Sequence, residues 1–160
     1  MNFSPKFIAL AKSILSLIGI AIAAYLFLTE PTGTSSNSSL FLCPGQSPRG
    51  IINCTAVVTS AYSHIFGLPL SFLALAWFLF LFSLSVLQRK GDKVIEMLSA
   101  YSSIASIFAV FYSSLAMFEI GYICIYCSTL DVILLIIFFI GLAEAKRLMQ
   151  QLTPQIDNLK

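Results

Sequence analysis

Four apolar runs dominate this chain, and each is long enough to cross a lipid bilayer as a helix. About 20 helical residues span the roughly 30 Å of hydrocarbon in a bilayer. Four such helices with short connections predict an antiparallel bundle. We therefore expect an all-α integral membrane protein, a four-transmembrane-helix bundle in which residues 1–160 form a single membrane domain. The predicted spans are residues 7–28, 65–87, 94–118 and 123–143.

The composition agrees with a membrane protein and excludes other classes. Hydrophobic residues make up 58% of the chain and charged residues only 10%, whereas soluble domains carry about 25% charged residues. A net charge of +2 is too small to support binding to a phosphate backbone, so nucleic acid is not an expected partner. The first run resembles a signal peptide, but Tyr25–Leu28 extends it past the small residues, so we expect it to be retained.

Positive charges indicate the orientation of the bundle, because cytoplasmic connections carry an excess of Lys and Arg. We expect both termini and a tail of residues 144–160 in the cytoplasm of a cell (inner) membrane. Residues 29–64 then form a long outer loop. Lys12, near the start of the first helix, is expected to extend toward the headgroups. Of the nine Lys and Arg residues, only Arg49 falls on the predicted outer side. The eight on the predicted cytoplasmic side are Lys6, Lys12, Arg89, Lys90, Lys93, Lys146, Arg147 and Lys160.

Part of the outer loop is apolar enough to lie against the bundle. We predict a short helix on the membrane face over residues 53–62, with Asn53 as its N-cap. A β-strand is the alternative, because the β-branched residues Val57, Val58 and Thr59 favour strands.

All four cysteines fall on the predicted outer side, which is the oxidising compartment. Cys124 and Cys127 lie three residues apart where the fourth helix begins, so they are neighbours on one helical face. A helix N-terminus lowers the pKa of a thiol, which favours a redox-active pair. A buried structural bridge and a pair of inert thiols are the alternatives. No bound metal is expected, since the other two cysteines are too far apart in the sequence to form a second closely spaced pair of zinc ligands.

The other two cysteines, Cys43 and Cys54, enclose ten residues that include Pro and Gly. A disulfide between them could simply staple the loop. With a second dithiol beneath the same loop, the two pairs could instead exchange through mixed disulfides.

Electrons that reach the fourth helix need an acceptor, and the chain carries no haem, iron–sulfur or nucleotide motif. A membrane quinone (ubiquinone, menaquinone or vitamin K) fits, because it takes two electrons and two protons. Candidate lining residues, although such residues are more often plain core or lipid-facing positions, are Phe66, Leu70, Trp77, Phe111, Tyr112 and Phe118.

Asp131 lies four residues after Cys127, on the same helical face and about 6 Å deeper. An ionisable group at such a depth is a candidate functional residue. It could donate a proton or a hydrogen bond to the quinone. Alternatively, its carboxyl group is satisfied by Ser128, Thr129 or hydroxyl groups of the third helix.

Together these features resemble the vitamin K epoxide reductase family. The resemblance lies in the order of a loop cysteine pair, the segment Cys54–Pro69 and the fourth-helix motif Cys124–Cys127. It implies that a partner's thiol attacks Cys43, that Cys54 then attacks Cys124, and that Cys127 faces the quinone. Because no thioredoxin-like domain follows in this sequence, it also implies a separate thioredoxin-fold dithiol protein on the outer face.

The resemblance further implies roles for residues near the short outer helix. Ser60 would support the redox site, and Val58, Ser63 and Phe66 would line the quinone pocket. Two features depart from the family: the loop cysteines are farther apart than usual, and Asp131 replaces a tyrosine or small residue.

The leading hypothesis is a membrane thiol:quinone oxidoreductase that supports disulfide formation in secreted proteins. Reduction of vitamin K epoxide or a quinone with electrons from a thiol partner is the alternative within the family. Disulfide-bond formation protein B performs similar chemistry with the two motifs in the reverse order. A claudin-like structural protein is the non-enzyme alternative, but it would have no use for the Cys124–Cys127 motif.

Overall fold

Four long apolar helices form a bundle in the computed structural model, which describes residues 5–29, 50–65 and 67–157. Each helix is long and apolar enough to cross a membrane, so the predicted fold class is confirmed. The long helices are α1 (Pro5–Thr29), α3 (Leu70–Gln88), α4 (Lys93–Ile120) and α5 (Ile125–Asp157). A short helix, α2 (Cys54–Val58), precedes α3.

The predicted short outer helix is present but is divided into two pieces. Asn53 caps α2 as predicted, since its side chain accepts a hydrogen bond of 3.0 Å from the Ala56 amide. The backbone of Ser60 is extended and ends the helical path, and a single 3₁₀ turn (Ala61–Ser63) follows. The strand alternative is therefore wrong for residues 57–59.

The second long helix begins at Leu70, five residues later than the sequence pattern predicted. The intervening residues form a small antiparallel hairpin of β1 (His64–Ile65) and β2 (Leu68–Pro69). Gly67 adopts a φ of 81° within its turn, a conformation that favours glycine. Pro69 has extended backbone and precedes the helix as its N-cap.

Small residues let the long helices approach each other closely. A Cβ added to Gly19 of α1 would lie 2.4 Å from the ring of Phe78 in α3. One added to Gly141 of α5 would lie 2.5 Å from the Cβ of Ser103 in α4. Such contacts are the usual basis of helix association in membranes, where lipid competes with apolar side chains.

A buried ion pair holds the end of the bundle away from the cysteines. Lys12 is only 2% exposed and pairs with Glu144, so the expectation that it extends toward the headgroups is wrong. Its Nζ also lies 3.0 Å from Ser99 Oγ, and Gln88 Nε2 donates to Glu144 Oε1 over 2.5 Å. These contacts join all four long helices. The two charges can be buried here because they are paired and hydrogen-bonded.

Candidate redox site

Backbone pairing joins the two segments that carry Cys54 and Cys124. Ile52 and Ile123 form a parallel β-bridge. The Ile123 amide donates to the Ile51 carbonyl over 2.9 Å, and the Asn53 amide donates to the Ile123 carbonyl over 3.2 Å. Each cysteine follows its bridge residue by one or two positions, so the pairing brings the two cysteine segments side by side.

Cys54 and Cys124 belong to one buried apolar cluster. Both side chains are 0% exposed and pack with Val57, and Met117 and Ile120 of α4 lie against them. Residues 50–65 are called the outer segment here, after the predicted outer loop. The cluster excludes water from the region between this segment and the start of α5. Cys54 is disulfide-bonded, whereas Cys43 lies outside the described residues.

Cys124 occupies the capping position directly before α5. Its Sγ accepts a hydrogen bond of 3.3 Å from the Cys127 amide, and its carbonyl accepts one of 2.9 Å from the Ser128 amide. Amide groups at a helix N-terminus favour negative charge on such a sulfur.

Cys127 and Cys124 are free thiols in hydrogen-bond contact. Cys127 Sγ lies 2.8 Å from Cys124 Sγ and donates to it. This hydrogen bond lowers the pKa of the Cys124 thiol, against the opposing effect of burial. In the reduced pair, Cys124 is therefore the sulfur that more readily becomes a thiolate.

A cavity of about 350 Å³ lies beside Cys127. It is enclosed by α3, α4, α5 and residues 57–65 of the outer segment, with a contribution from Leu26 of α1. Its volume falls within the roughly 300–1,000 Å³ typical of small-molecule sites, and its walls are mainly apolar, as such sites usually are. The polar side chains that line it include Ser60, Ser63, Ser113, Cys127 and Asp131.

Most of the residues predicted to contact a quinone line this cavity. Four of the predicted site residues do so: Val58, Ser60, Ser63 and Asp131. Phe66 lies outside the described residues. Of the additional apolar and aromatic candidates, the cavity is lined by Leu70, Trp77 and Tyr112.

Phe111 and Phe118, two of the aromatic candidates, do not line this cavity. Their side chains are 63% and 82% exposed on the outer surface of the bundle, where lipid would surround them. An aromatic side chain in an apolar helix is equally suited to lipid or to a cavity, so residue type alone did not distinguish the two positions.

Asp131 forms a hydrogen bond with Ser113 of α4, and both side chains line the cavity. The partner is thus a hydroxyl group of the third long helix, one of the alternatives that the sequence left open. Ser128 instead donates to the Met117 sulfur over 3.8 Å, and Thr129 donates to the Ile125 carbonyl over 2.8 Å. The Asp131 carboxyl group therefore lines the cavity one helical turn after Cys127 in α5.

Contacts that sequence reasoning did not find order the outer segment, and one of them ties it to α4. Tyr112 of α4 donates to the Tyr62 carbonyl over 3.4 Å. Ser60 donates to the Val57 carbonyl over 2.8 Å, and Ser63 donates to the Ser60 carbonyl over 2.7 Å. The β-bridge near these contacts was also not predicted. Its sequence signal is Ile52 before Cys54 and Ile123 before Cys124, a pattern too short to be recognised.

Comparison with protein families identifies the chain. The model of the vitamin K epoxide reductase family matches residues 10–142, which include all four cysteines. The chain belongs to the vitamin K epoxide reductase family. No curated protein and no solved structure matches it.

Membership of the vitamin K epoxide reductase family makes this protein a multi-pass membrane oxidoreductase with four candidate spans. The family implies thiol-dependent reduction of a quinone and, in general terms, a thiol redox partner. Within residues 5–29, 50–65 and 67–157, no group of three His, Cys, Asp or Glu side chains is arranged to hold a metal ion.

Proposed function

We propose that this protein is a membrane thiol:quinone oxidoreductase that reoxidises a separate thioredoxin-fold disulfide carrier. Electrons from the carrier pass through two cysteine pairs to a quinone, which supports disulfide formation in secreted proteins. One observation carries the proposal: Cys127 contacts the Cys124 sulfur and also lines an apolar cavity, while Cys124 shares a buried cluster with Cys54.

The first step transfers electrons from the carrier to the outer segment. A thiolate of the carrier attacks Cys43 in a disulfide between Cys43 and Cys54, and Cys54 leaves as a thiolate. The second thiol of the carrier then attacks the mixed disulfide. The carrier leaves oxidised, and both outer cysteines are reduced.

The second step transfers the electrons to the start of α5. The Cys54 thiolate attacks Cys124 in the Cys124–Cys127 disulfide, and Cys127 leaves with the electron pair. Cys43 then attacks Cys54, which re-forms the outer disulfide and releases Cys124. The backbone bridge between Ile52 and Ile123 supports this step, because it holds the two cysteine segments together.

The third step reduces the quinone in the cavity. The dithiol of Cys124 and Cys127 becomes a disulfide, and the quinone becomes a quinol. Val58, Ser63, Phe66 and Asp131 would contact the quinone, and Ser60 would support the outer wall through its bond to the Val57 carbonyl. The apolar lining suits ubiquinone, menaquinone or vitamin K.

This chemistry requires the cysteines to face the oxidising side of the membrane. We propose that both termini lie in the cytoplasm and that the redox site opens on the periplasmic or extracytoplasmic side of the inner membrane. The support is the distribution of Lys and Arg, of which only Arg49 falls on the proposed outer side. Residues 1–160 would act as one membrane domain.

The test is reduction of a soluble quinone by a reduced thioredoxin-fold dithiol protein in the presence of the purified enzyme. Cys43→Ala and Cys127→Ala should each abolish the reaction. Thr129→Ala is the matched control, because Thr129 is exposed two residues from Cys127 and its hydroxyl donates to its own helix. Unchanged rates in both cysteine variants would eliminate the relay.

Trapping distinguishes the roles of the two outer cysteines. In a Cys54→Ser variant mixed with a carrier that lacks its second cysteine, a mild oxidant should join the carrier to Cys43 through a stable mixed disulfide, because neither position 54 nor the carrier offers a thiol to displace it. Peptide mapping that finds the carrier attached only at Cys124 would dismiss the shuttle role of Cys54.

Reduction of vitamin K epoxide is a second candidate, favoured by the family match. The same dithiol would be oxidised to a disulfide while the epoxide oxygen leaves as water. Chromatography of products from vitamin K epoxide and the reduced carrier separates the two activities. The family match also favours either redox function over a claudin-like structural role.

A further inference from the structure

One hydrogen bond connects the cavity wall to the surface of the protein. Ser63 is only 7% exposed and lines the cavity, whereas its neighbour His64 is exposed. Ser63 Oγ lies 2.9 Å from His64 Nδ1. His64 is the one histidine of the chain, and histidine is the side chain best suited to exchange protons with water near neutral pH.

Both members of this pair are held in place by backbone contacts. The Ser63 amide and hydroxyl both donate to the Ser60 carbonyl, over 3.1 and 2.7 Å. His64 pairs with Pro69 in the β1–β2 hairpin, and Tyr112 holds the adjacent Tyr62 carbonyl from α4. The Ser63–His64 contact is thus part of an ordered outer wall of the cavity.

Reduction of the quinone requires more protons than the reduced cysteine pair carries. The quinone accepts two electrons and two protons. The thiolate, not the thiol, is the nucleophile, and Cys127 Sγ donates a hydrogen bond to Cys124 Sγ. The pair that reacts therefore consists of one thiolate and one thiol, and it holds a single proton. A second proton must therefore enter the cavity from another group.

We propose that His64, acting through Ser63, delivers this second proton from the aqueous phase to the quinone oxygen. The inference rests on the proposed function of the cavity. Imidazolium Nδ1–H donates to Ser63 Oγ, and the Ser63 hydroxyl proton, now directed at the Ser60 carbonyl, passes to the quinone oxygen. His64 then regains a proton from water on its exposed side.

The step is balanced in electrons and protons. The Cys124 thiolate and the Cys127 thiol supply two electrons and one proton as their disulfide forms. His64 supplies the other proton, so one quinone becomes one quinol. Each turnover consumes one proton from the aqueous phase in this step, which compensates for the proton released when Cys124 ionises.

Asp131 is the competing acid, because it also lines the cavity. Its hydrogen-bond partner, Ser113, is itself a cavity-lining residue, so this pair stays within the wall of the cavity. The Ser63–His64 pair instead leads from the cavity to an exposed side chain, and an acid that acts repeatedly needs such a connection to water.

The experiment follows a single turnover of enzyme whose Cys124–Cys127 pair is reduced, mixed with a short-chain ubiquinone analogue. His64→Ala and Ser63→Ala should each slow quinol formation by about 100-fold, the lower end of the range for general acid–base catalysis. Added imidazole should restore the rate of His64→Ala but not that of Ser63→Ala. Thr59→Ala, an exposed neighbour bonded to its own helix, should match the wild type.

Two further measurements separate this proposal from the proposed function. Transfer of electrons from the carrier to the Cys124–Cys127 pair precedes the proton step, so it should proceed normally in His64→Ala. Failure of the wild-type enzyme to reduce the quinone at all would overturn the proposed function. If the wild type is active, an unchanged rate in His64→Ala overturns the proton route alone.

The kinetic isotope effect in deuterated water identifies the acid directly. Quinol formation in the wild type should be slower in deuterated water, and this effect should change in His64→Gln, whose side chain cannot deliver the same proton. An effect that disappears in Asp131→Asn and persists in His64→Gln would assign the proton to Asp131 and refute the role of His64.

Discussion

Ile52 pairs with Ile123 in a parallel β-bridge, and the backbone hydrogen bonds beside it hold the Cys54 segment against the start of α5. Thiol–disulfide exchange requires an attacking sulfur to reach its target along a defined direction. A backbone connection between the two segments meets this need without restricting the sulfur atoms themselves.

Removing a hydrogen bond of this bridge should slow transfer between the cysteine pairs. Ile123→Pro removes the amide that donates to the Ile51 carbonyl. We expect exchange between Cys54 and Cys124 to slow by about tenfold, equivalent to one lost hydrogen bond of about 1.4 kcal/mol. Rapid-quench alkylation of the Cys124–Cys127 pair measures the rate, and Ile123→Val is the control because it keeps the amide. Equal rates in both variants would show that the bridge does not position the cysteines.

The Cys127 thiol should govern the ionisation of Cys124. Its hydrogen bond lowers the pKa of Cys124, so in Cys127→Ala the Cys124 thiolate should form only at higher pH than in the wild type. The ultraviolet absorbance of the thiolate, followed during a pH titration of the reduced protein, reports this change. A titration curve that is the same in both proteins would contradict the assignment of Cys124 as the favoured thiolate.

The same pKa direction predicts how stability depends on pH. A pKa that is lower in the folded protein than in the unfolded chain stabilises the folded state above the unfolded pKa. That contribution is lost as the pH falls through the lower, folded pKa of Cys124. The stability of the reduced wild type in detergent should fall as the pH is lowered from above the ordinary thiol pKa through the folded pKa of Cys124, and Cys124→Ala should not show this dependence.

Asp131 should affect the affinity for the quinone more than the transfer of electrons between cysteines. Asp131→Ala removes a carboxyl group from the cavity wall together with its bond to Ser113. We expect the KM for the quinone to rise about tenfold, consistent with a lost hydrogen bond of about 1.5 kcal/mol. Steady-state kinetics test this, with Thr129→Ala as the control. An unchanged KM would remove Asp131 from the quinone site.

The close approach of α1 and α3 should tolerate no added side chain at Gly19. The Cβ of Gly19→Ala would overlap the Phe78 ring, and overpacking of this kind costs about 1–3 kcal/mol of stability. Thermal unfolding in detergent should show the loss. The double variant Gly19→Ala with Phe78→Leu should recover part of it, whereas no recovery would place the strain elsewhere.

The buried ion pair should be costly to break and less costly to replace. Glu144→Gln leaves the charge of Lys12 without its partner, which should destabilise the fold by about 3–5 kcal/mol. Lys12→Met combined with Glu144→Leu should be closer to the wild type, because no unpaired charge remains. Unfolding by denaturant in detergent compares the three proteins. A double variant less stable than Glu144→Gln would show that the pair contributes more than the apolar replacement.

The sequence predicted the four helices well, because an apolar run of bilayer length has few other stable structures. It did not predict where α3 begins, since residues 65–69 are apolar enough to extend the run. The positive φ of Gly67 and the extended backbone of Pro69 form a hairpin there instead. Hydropathy records the length of a run and not the backbone conformation at its ends.

The polar contacts were predicted only where the sequence carries a local pattern. Spacing and family resemblance predicted the four redox cysteines, and several predicted quinone contacts line the cavity beside Cys127. The partner of Lys12 was missed, because Glu144 follows the fourth apolar run and was assigned to a tail, although it is only 2% exposed. Two side chains 132 positions apart in the chain carry no local pattern that would pair them.

The buried pair of Lys12 and Glu144 also constrains how the cysteines can move. Helix α5 carries Cys127 near one end, and Glu144, about 25 Å farther along at 1.5 Å per residue, is fixed to α1 and α3. Sliding this helix along its axis would separate opposite charges inside an apolar medium. In the proposed relay, Cys127 would therefore react from a helix that does not slide, and the rearrangements of each catalytic cycle would be confined to side-chain rotation and to the outer segment.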